Sequence, residues 1–165
     1  MSATEGAVRT IAEGAKAAAR RLAPGKTAAK DAALEAIAGR LEADAAAILA
    51  ANAEDVAEAE SLVAKGELAE SLLARLRLDP KKLAAMVEGV RSVARLEDPS
   101  GKVLARTLLD DGLVLEKVSC PLGVLAVVFE SRPDAVTQIS ALAVKSGNAA
   151  ILKGGRESAR SPAAL

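Results

Sequence analysis

Two short segments in the last third of the chain hold residue types that can bind a phosphorylated ligand. The first is Lys153-Gly154-Gly155-Arg156-Glu157-Ser158. Consecutive glycines let a backbone approach a phosphate or ribose closely, and a helix N-terminus just beyond them favours an anion. From Lys145 to Arg160, four cations (Lys145, Lys153, Arg156, Arg160) face one anion (Glu157), a local +3 in a chain of formal net charge zero. The same residues read at least as well as a strand-to-helix turn with a solvated charge cluster. Neither the dinucleotide glycine fingerprint nor a Walker loop is present. The second segment is Glu130-Ser131-Arg132-Pro133. Pro133 restricts Arg132 to extended backbone and can open a helix. Arg132 can grip a carboxylate or phosphate through two parallel hydrogen bonds, with Glu130 orienting the substrate. Alternatively, Glu130 and Arg132 pair with each other and merely close the turn.

Other candidates are weaker. Cys120 precedes Pro121 at a bend between strands, and the chain has no His to activate it. It is expected to be a small buried or half-buried residue. The acidic run Glu54, Asp55, Glu58, Glu60 reads as a solvated helix face. Met86 reads as core and Phe129 as sheet packing. With no His and one Cys, a clustered thiolate or imidazole metal site and an intrachain disulfide framework are excluded. With one Phe, no Trp and no Tyr, base-stacking platforms are nearly absent, and a neutral chain gives no reason to expect nucleic acid. No apolar h-region opens the chain, and no run approaches the length of about 18 apolar residues that spans a membrane. A cytoplasmic protein is expected.

The elements that must position these residues fall into two compositional halves, changing near Pro99. The chain has 165 residues, 51% apolar, and 39 are alanine. Alanine orders cheaply in helices but buries little surface, so helices laid on something larger are expected. Ser2 and Glu5 have capping-box spacing. Val8, Ile11, Ala15, Ala18 and Leu22 form an amphipathic stripe ended by Pro24-Gly25. Thr27 is a candidate cap for a second helix running towards Lys65-Gly66, with a break near Asn52. A short helix covers Glu67 to Leu76. Asp79 then caps a helix with Pro80 in its first position and a stripe of Leu83, Met86, Val87, Val90 and Val93. Val103–Leu109 and Leu113–Ser119 flank Asp110-Asp111-Gly112, the pattern of a β-hairpin. Gly123–Phe129, apolar without alternation, suits a parallel strand covered on both faces. A helix over Pro133–Lys145, directing Val136, Ile139, Leu142 and Ala143 inward and closed by Ser146-Gly147-Asn148, leads to a strand over Ala149–Lys153. Strand, helix, strand is the opening unit of a doubly wound nucleotide-binding sheet, whose ligands sit at the carboxyl ends of the strands.

The stretch PLGVLAVVFESRPDAVTQISALAVKSGNAAILKGGRES, with ARTLLDDGLVLEKVSCPLGV and AAILAANAEDVAEAE upstream, resembles the gamma-glutamyl phosphate reductases (glutamate-5-semialdehyde dehydrogenases) of the aldehyde dehydrogenase superfamily. The resemblance implies NADPH-dependent reduction of gamma-glutamyl phosphate to glutamate 5-semialdehyde in proline biosynthesis. It implies that Lys153 reaches the adenosine ribose of NADPH, with Gly154, Gly155 and Arg156 beside the 2′-phosphate. It places Glu130, Ser131 and Arg132 near the nicotinamide and substrate, where other aldehyde dehydrogenases carry Pro-Trp-Asn. The hairpin resembles part of an oligomerisation arm, implying a dimer or larger homo-oligomer. The implied fold is α/β. Residues 1–100 form a helical layer of the cofactor-binding domain, 101–120 the hairpin of the arm, and 121–165 the start of a Rossmann-like NADP-binding sheet. Family members run to several hundred residues with their catalytic cysteine beyond this stretch. The chain is therefore expected to be an N-terminal portion, inert alone and with no catalytic residue of its own. A non-catalytic helical interaction module derived from the same family is the competing expectation.

Overall fold

The three-and-four spacing of the first hundred residues does produce helices. A computed structural model describes residues 3–165. It has α1 (Ala3–Leu22), α2 (Thr27–Ala43), α3 (Ala45–Ala64), α4 (Glu70–Leu76) and α5 (Pro80–Ala94). Next come β1 (Val103–Asp110), β2 (Leu113–Val118), β3 (Val124–Val128), α6 (Pro133–Lys145) and β4 (Ala149–Lys153). A 3-10 turn (Arg156–Ser158) and α7 (Arg160–Ala164) follow. The architecture is mixed α/β, a helical layer followed by two small sheets. Ser2, and with it the capping box, lies outside the described residues.

Asp79 accepts from the Lys82 backbone N–H at 2.6 Å, with Pro80 opening α5. The α5 stripe Leu83, Met86, Val87 and Val90 buries against Leu34, Ala38 and Leu41 of α2. Each bulky side chain so covered contributes roughly 1.5–3 kcal/mol. Ala38, Ala94 and Ala141 belong to the same cluster. Their small side chains let neighbouring helices approach closely, which is how an alanine-rich layer still closes a core.

Several expectations are corrected. Lys26, not Thr27, holds the cap position of α2, and the Thr27 hydroxyl instead donates to Asp98 at 3.0 Å. The helical run breaks at Asp44 rather than near Asn52. Asn52 is buried within α3, where its amide donates to the Leu76 carbonyl (2.9 Å) and accepts from the Leu78 N–H (2.8 Å). The fourth helix starts at Glu70, three residues later than the pattern implied. In α1, Ala19 is buried, but Val8 and Ile11 stand 60% and 55% exposed. Leu142 of α6 points outward at 53% exposure, while Ala141 and Ala143 bury. Nor is β3 covered on both faces: α1 and α6 pack chiefly on β4, leaving Val128 77% exposed.

The β1–β2 hairpin is antiparallel, with Asp110 paired to Leu113 and Gly112 turning at φ +74°. Both its strands are exposed throughout. β3 and β4 pair in parallel, joined by α6. Gly147 ends α6 at φ +73°: its N–H bonds the Val144 carbonyl (3.1 Å) and the Asn148 N–H bonds that of Ala143 (2.8 Å). This is a Schellman closure, which needs a left-handed residue. Because α6 returns the chain from the end of β3 to the start of β4, residues before α6 and after β4 share the carboxyl edge. The C-terminus of α6 lies at the opposite, amino edge.

Candidate functional site

The parallel register runs from Val124 opposite Ala149 to Val128 opposite Lys153, and the Phe129 N–H extends it by bonding the Lys153 carbonyl at 3.0 Å. The Glu130–Pro133 bend and the Lys153–Arg156 bend therefore leave the sheet side by side. Gly154 lies under the Phe129 ring, where an added Cβ would stand 3.4 Å from it. Lys153 is exposed, and its ammonium donates to the Gly154 carbonyl of its own bend. Arg156 is also exposed. Among the described residues, neither Lys153 nor Arg156 has an acidic partner.

The alternative, a Glu130–Arg132 pair closing the turn, does not form among the described residues. Arg132 instead meets Asp134 in the first turn of α6 at 2.9 Å, and that hydrogen bond with its charge raises the guanidinium pKa further. Glu130 is exposed. Between the two, Ser131 adopts φ +47°, a conformation that L-residues rarely hold, and this reversal separates their side chains. Ser131 is fully buried. Its backbone N–H and its hydroxyl both donate to Glu157 Oε1, at 3.0 and 2.9 Å. One carboxylate thus ties the two bends together.

The +3 cluster read from the sequence is dispersed. Lys145 sits at the amino edge, 3% exposed, where its ammonium donates to Asp31 (2.5 Å) and the Ala94 carbonyl (2.8 Å). Arg160 is held by Glu54 (3.2 Å), Asp55 (3.3 Å) and Glu58 (2.8 Å), and the hydrogen bonds and charges of Glu58 and then Asp55 raise its pKa. What remains on the rim is Lys153 and Arg156, with Glu157 turned inward to Ser131.

The acidic run is not all solvated. Asp55 is 1% exposed and accepts from the N–H (2.7 Å) and hydroxyl (2.6 Å) of Ser161 and from the Arg160 N–H (3.1 Å). It caps α7 and so fixes the segment that follows the diglycine bend. Asn52 joins it through Ser161 Oγ at 3.0 Å. The available signal was spacing: Ile48, Asn52, Asp55, Val56 and Ala59 lie on one face of α3, and all are buried. Cys120, expected to be buried or half-buried, is exposed. It stands before β3, at the edge of the sheet opposite the rim.

A cleft of about 880 Å³ opens between α5 and α6, beside the rim. Met86 and Val90 floor it, Arg75 and Lys82 line one side, and Arg132 and Asp134 line the other. Among the described residues no cluster of His, Cys, Asp or Glu is arranged to hold a metal ion. No helix among them is long and apolar enough to cross a membrane.

No protein-family model matches the chain. It is 52% identical over 164 residues to a gamma-glutamyl phosphate reductase of Synechococcus sp. (strain JA-2-3B'a(2-13)), covering 99% of this chain and 36% of that protein. It is 49% identical over 165 residues to the gamma-glutamyl phosphate reductase of Acaryochloris marina, covering 37% of its length. The crystal structure of the Saccharomyces cerevisiae gamma-glutamyl phosphate reductase superposes with a TM-score of 0.86 at 45% identity, over 98% of this chain and 39% of that one. The Thermotoga maritima enzyme gives 0.85 at 34% identity, over 93% and 36%. The chain is thus similar over its whole length to an N-terminal part of these reductases, and it spans a little over a third of the length of the relatives it matches.

Proposed function

We infer that this chain belongs with the gamma-glutamyl phosphate reductases and forms the part of such an enzyme that receives its pyridine nucleotide. The reaction is the reduction of gamma-glutamyl phosphate to glutamate 5-semialdehyde, a step of proline biosynthesis, in the cytoplasm. The observation that carries this reading is the shared carboxyl-edge rim, where Lys153 and Arg156 have no acidic partner among the described residues while Lys145 and Arg160 are satisfied elsewhere. Two exposed cations beside a diglycine bend fit a phosphorylated nucleotide. Lys153 would reach the adenosine ribose of NADPH, with Gly154, Gly155 and Arg156 beside its 2′-phosphate. When bound, NADPH supplies the hydride. In this reading residues 1–100 back the cofactor-binding domain, 101–120 form an arm, and 121–165 begin a Rossmann-like sheet.

In this reading the Glu130–Arg132 bend lies on the substrate side of the rim, with Glu130 and Arg132 exposed to it and Ser131 buried beneath them. The adjoining cleft gathers Arg75, Lys82 and Arg132 against one acid, Asp134. That balance suits a substrate bearing both a carboxylate and an acyl phosphate. A thiolate would take up the acyl group as phosphate departs, and bound NADPH would supply the hydride that releases the aldehyde and restores the thiolate. Cys120 stands at the wrong edge for this attack, so the thiolate belongs to a part of the reductase that this chain does not span. By this reading the 165-residue chain alone is inactive; NADPH-dependent turnover by it would overturn that point. The exposed apolar hairpin, with the cross-strand pair Leu108 and Val114 at 66% and 48% on one side, is the face for a second copy in a dimer or larger assembly.

The test is NADPH titration of the complete protein that carries this chain. Replacing Lys153 and Arg156 together by alanine should raise the dissociation constant at least tenfold, with a shallower dependence on salt. An unchanged constant would refute the cofactor assignment.

A further inference from the structure

We propose that Glu157 is a positioning residue: it latches the arginine-bearing bend to the diglycine bend, and Gly155 lacks a side chain so that this carboxylate can pass. The proposal deepens the nucleotide reading above and rests on it for its functional consequence only.

Three observations converge. Glu157 Oε1 accepts both the backbone N–H (3.0 Å) and the hydroxyl (2.9 Å) of Ser131, a residue with no exposure to solvent. Ser131 is held at φ +47°, and a non-glycine residue persists in that region only when its surroundings enforce it. The two donated bonds are the enforcement. Thirdly, a Cβ built on Gly155 would lie 2.0 Å from Glu157 Oε1 and 2.1 Å from Oε2.

The backbone of Gly155, at φ −71° and ψ 163°, is one that any residue adopts. Its lack of a side chain is therefore not a matter of conformation. The space where the side chain would be is filled by the carboxylate on its way to Ser131. A methyl group there would displace the carboxylate easily, since a glutamate end is flexible, and the two Ser131 bonds would go with it. Arg132 follows Ser131 directly, and Arg156 precedes Glu157. Releasing the latch thus frees the cation that faces substrate and the cation that faces nucleotide at the same time.

This makes a double-mutant prediction that a general loss of packing does not make. In the complete protein, Glu157→Ala and Gly155→Ala should each raise the NADPH dissociation constant about fivefold or more. The double variant should be no worse than Glu157→Ala alone, because the added methyl then enters vacated space. Glu157→Gln keeps an acceptor oxygen for both donors and should stay within twofold of the parent. Additive losses in the double variant, or unchanged affinity in Glu157→Ala, would overturn the proposal. Amide hydrogen exchange at Ser131, measured without nucleotide, separates the latch from the cofactor reading. It should accelerate at least tenfold in both single variants whether or not the protein binds NADPH, and an unchanged rate would overturn the latch by itself.

Discussion

Replacing Asp55 by alanine removes the acceptor at the start of α7. Four donors lose this partner: the Ser161 N–H at 2.7 Å, the Ser161 hydroxyl at 2.6 Å, the Arg160 N–H at 3.1 Å and the Arg160 guanidinium at 3.3 Å, the last of which keeps Glu54 and Glu58. Loss of a helix-capping acceptor costs about 1 kcal/mol. Leaving buried donors unpaired adds roughly 1–3 kcal/mol each where water cannot enter. Arg160 is exposed and its N–H can find water, so the cost centres on Ser161 and comes to about 3 kcal/mol. The fold has a cheaper response than carrying that cost throughout, which is to let α7 lift from α3. The expected result is local. Amide exchange over residues 160–165 should rise about a hundredfold, the equivalent of some 3 kcal/mol, while the α2–α5 core keeps its protection. Asp55→Asn retains one acceptor oxygen and should fall between the two. Site-resolved hydrogen exchange reads this directly. Rates within twofold of the parent in Asp55→Ala would refute the assignment of Asp55 as the anchor of α7. Equal acceleration in α2 and α5 would refute its local character.

Two further outcomes follow from ion pairs and exposed surface. Burial pushes the Asp98 carboxyl up, but hydrogen bonds from Lys30, Ser100 and Thr27 and the Lys30 charge outweigh it and hold the group at about 2. A carboxyl depressed from its usual value stabilises the fold fully above pH of about 4. That contribution is lost as pH falls towards about 2, and amounts to about 1 kcal/mol once solvent screening is allowed for. Urea titrations across this window should show the loss in the parent and not in Asp98→Asn; parallel curves would contradict it. In the hairpin, Leu108→Lys with its cross-strand neighbour Val114→Lys should shift the complete protein towards smaller species in sedimentation equilibrium without lowering its melting temperature. An unchanged mass distribution would rule out this face as the contact between copies.

The parts of the fold legible in the sequence were those whose cause is local. Pro133 and Ser146-Gly147 mark both ends of α6 because a ring and a left-handed turn act on their own backbone. Asp79-Pro80 announces α5 for the same reason. Hidden were the residues whose partner is distant in the chain. Asp55 looks like a surface acid until Ser161 is brought to it, and Thr27 looks like a cap until Asp98 takes its hydroxyl. Lys145 looked like part of a cationic site because it is near Lys153 in sequence, yet α6 carries it to the other edge of the sheet, against Asp31. The rim itself was legible, since parallel strands oblige both bends to share an edge. The carboxylate that joins them was not, because nothing local marks Glu157 as a partner of Ser131.

The most direct test of the rim is a crystal structure of the complete protein with NADPH. The account predicts the adenosine ribose within hydrogen-bonding distance of Lys153 and the 2′-phosphate oxygens within that of Arg156, with the nicotinamide directed towards Arg132. Nucleotide bound at the amino edge of the sheet, beside Cys120 and Lys145, would contradict it.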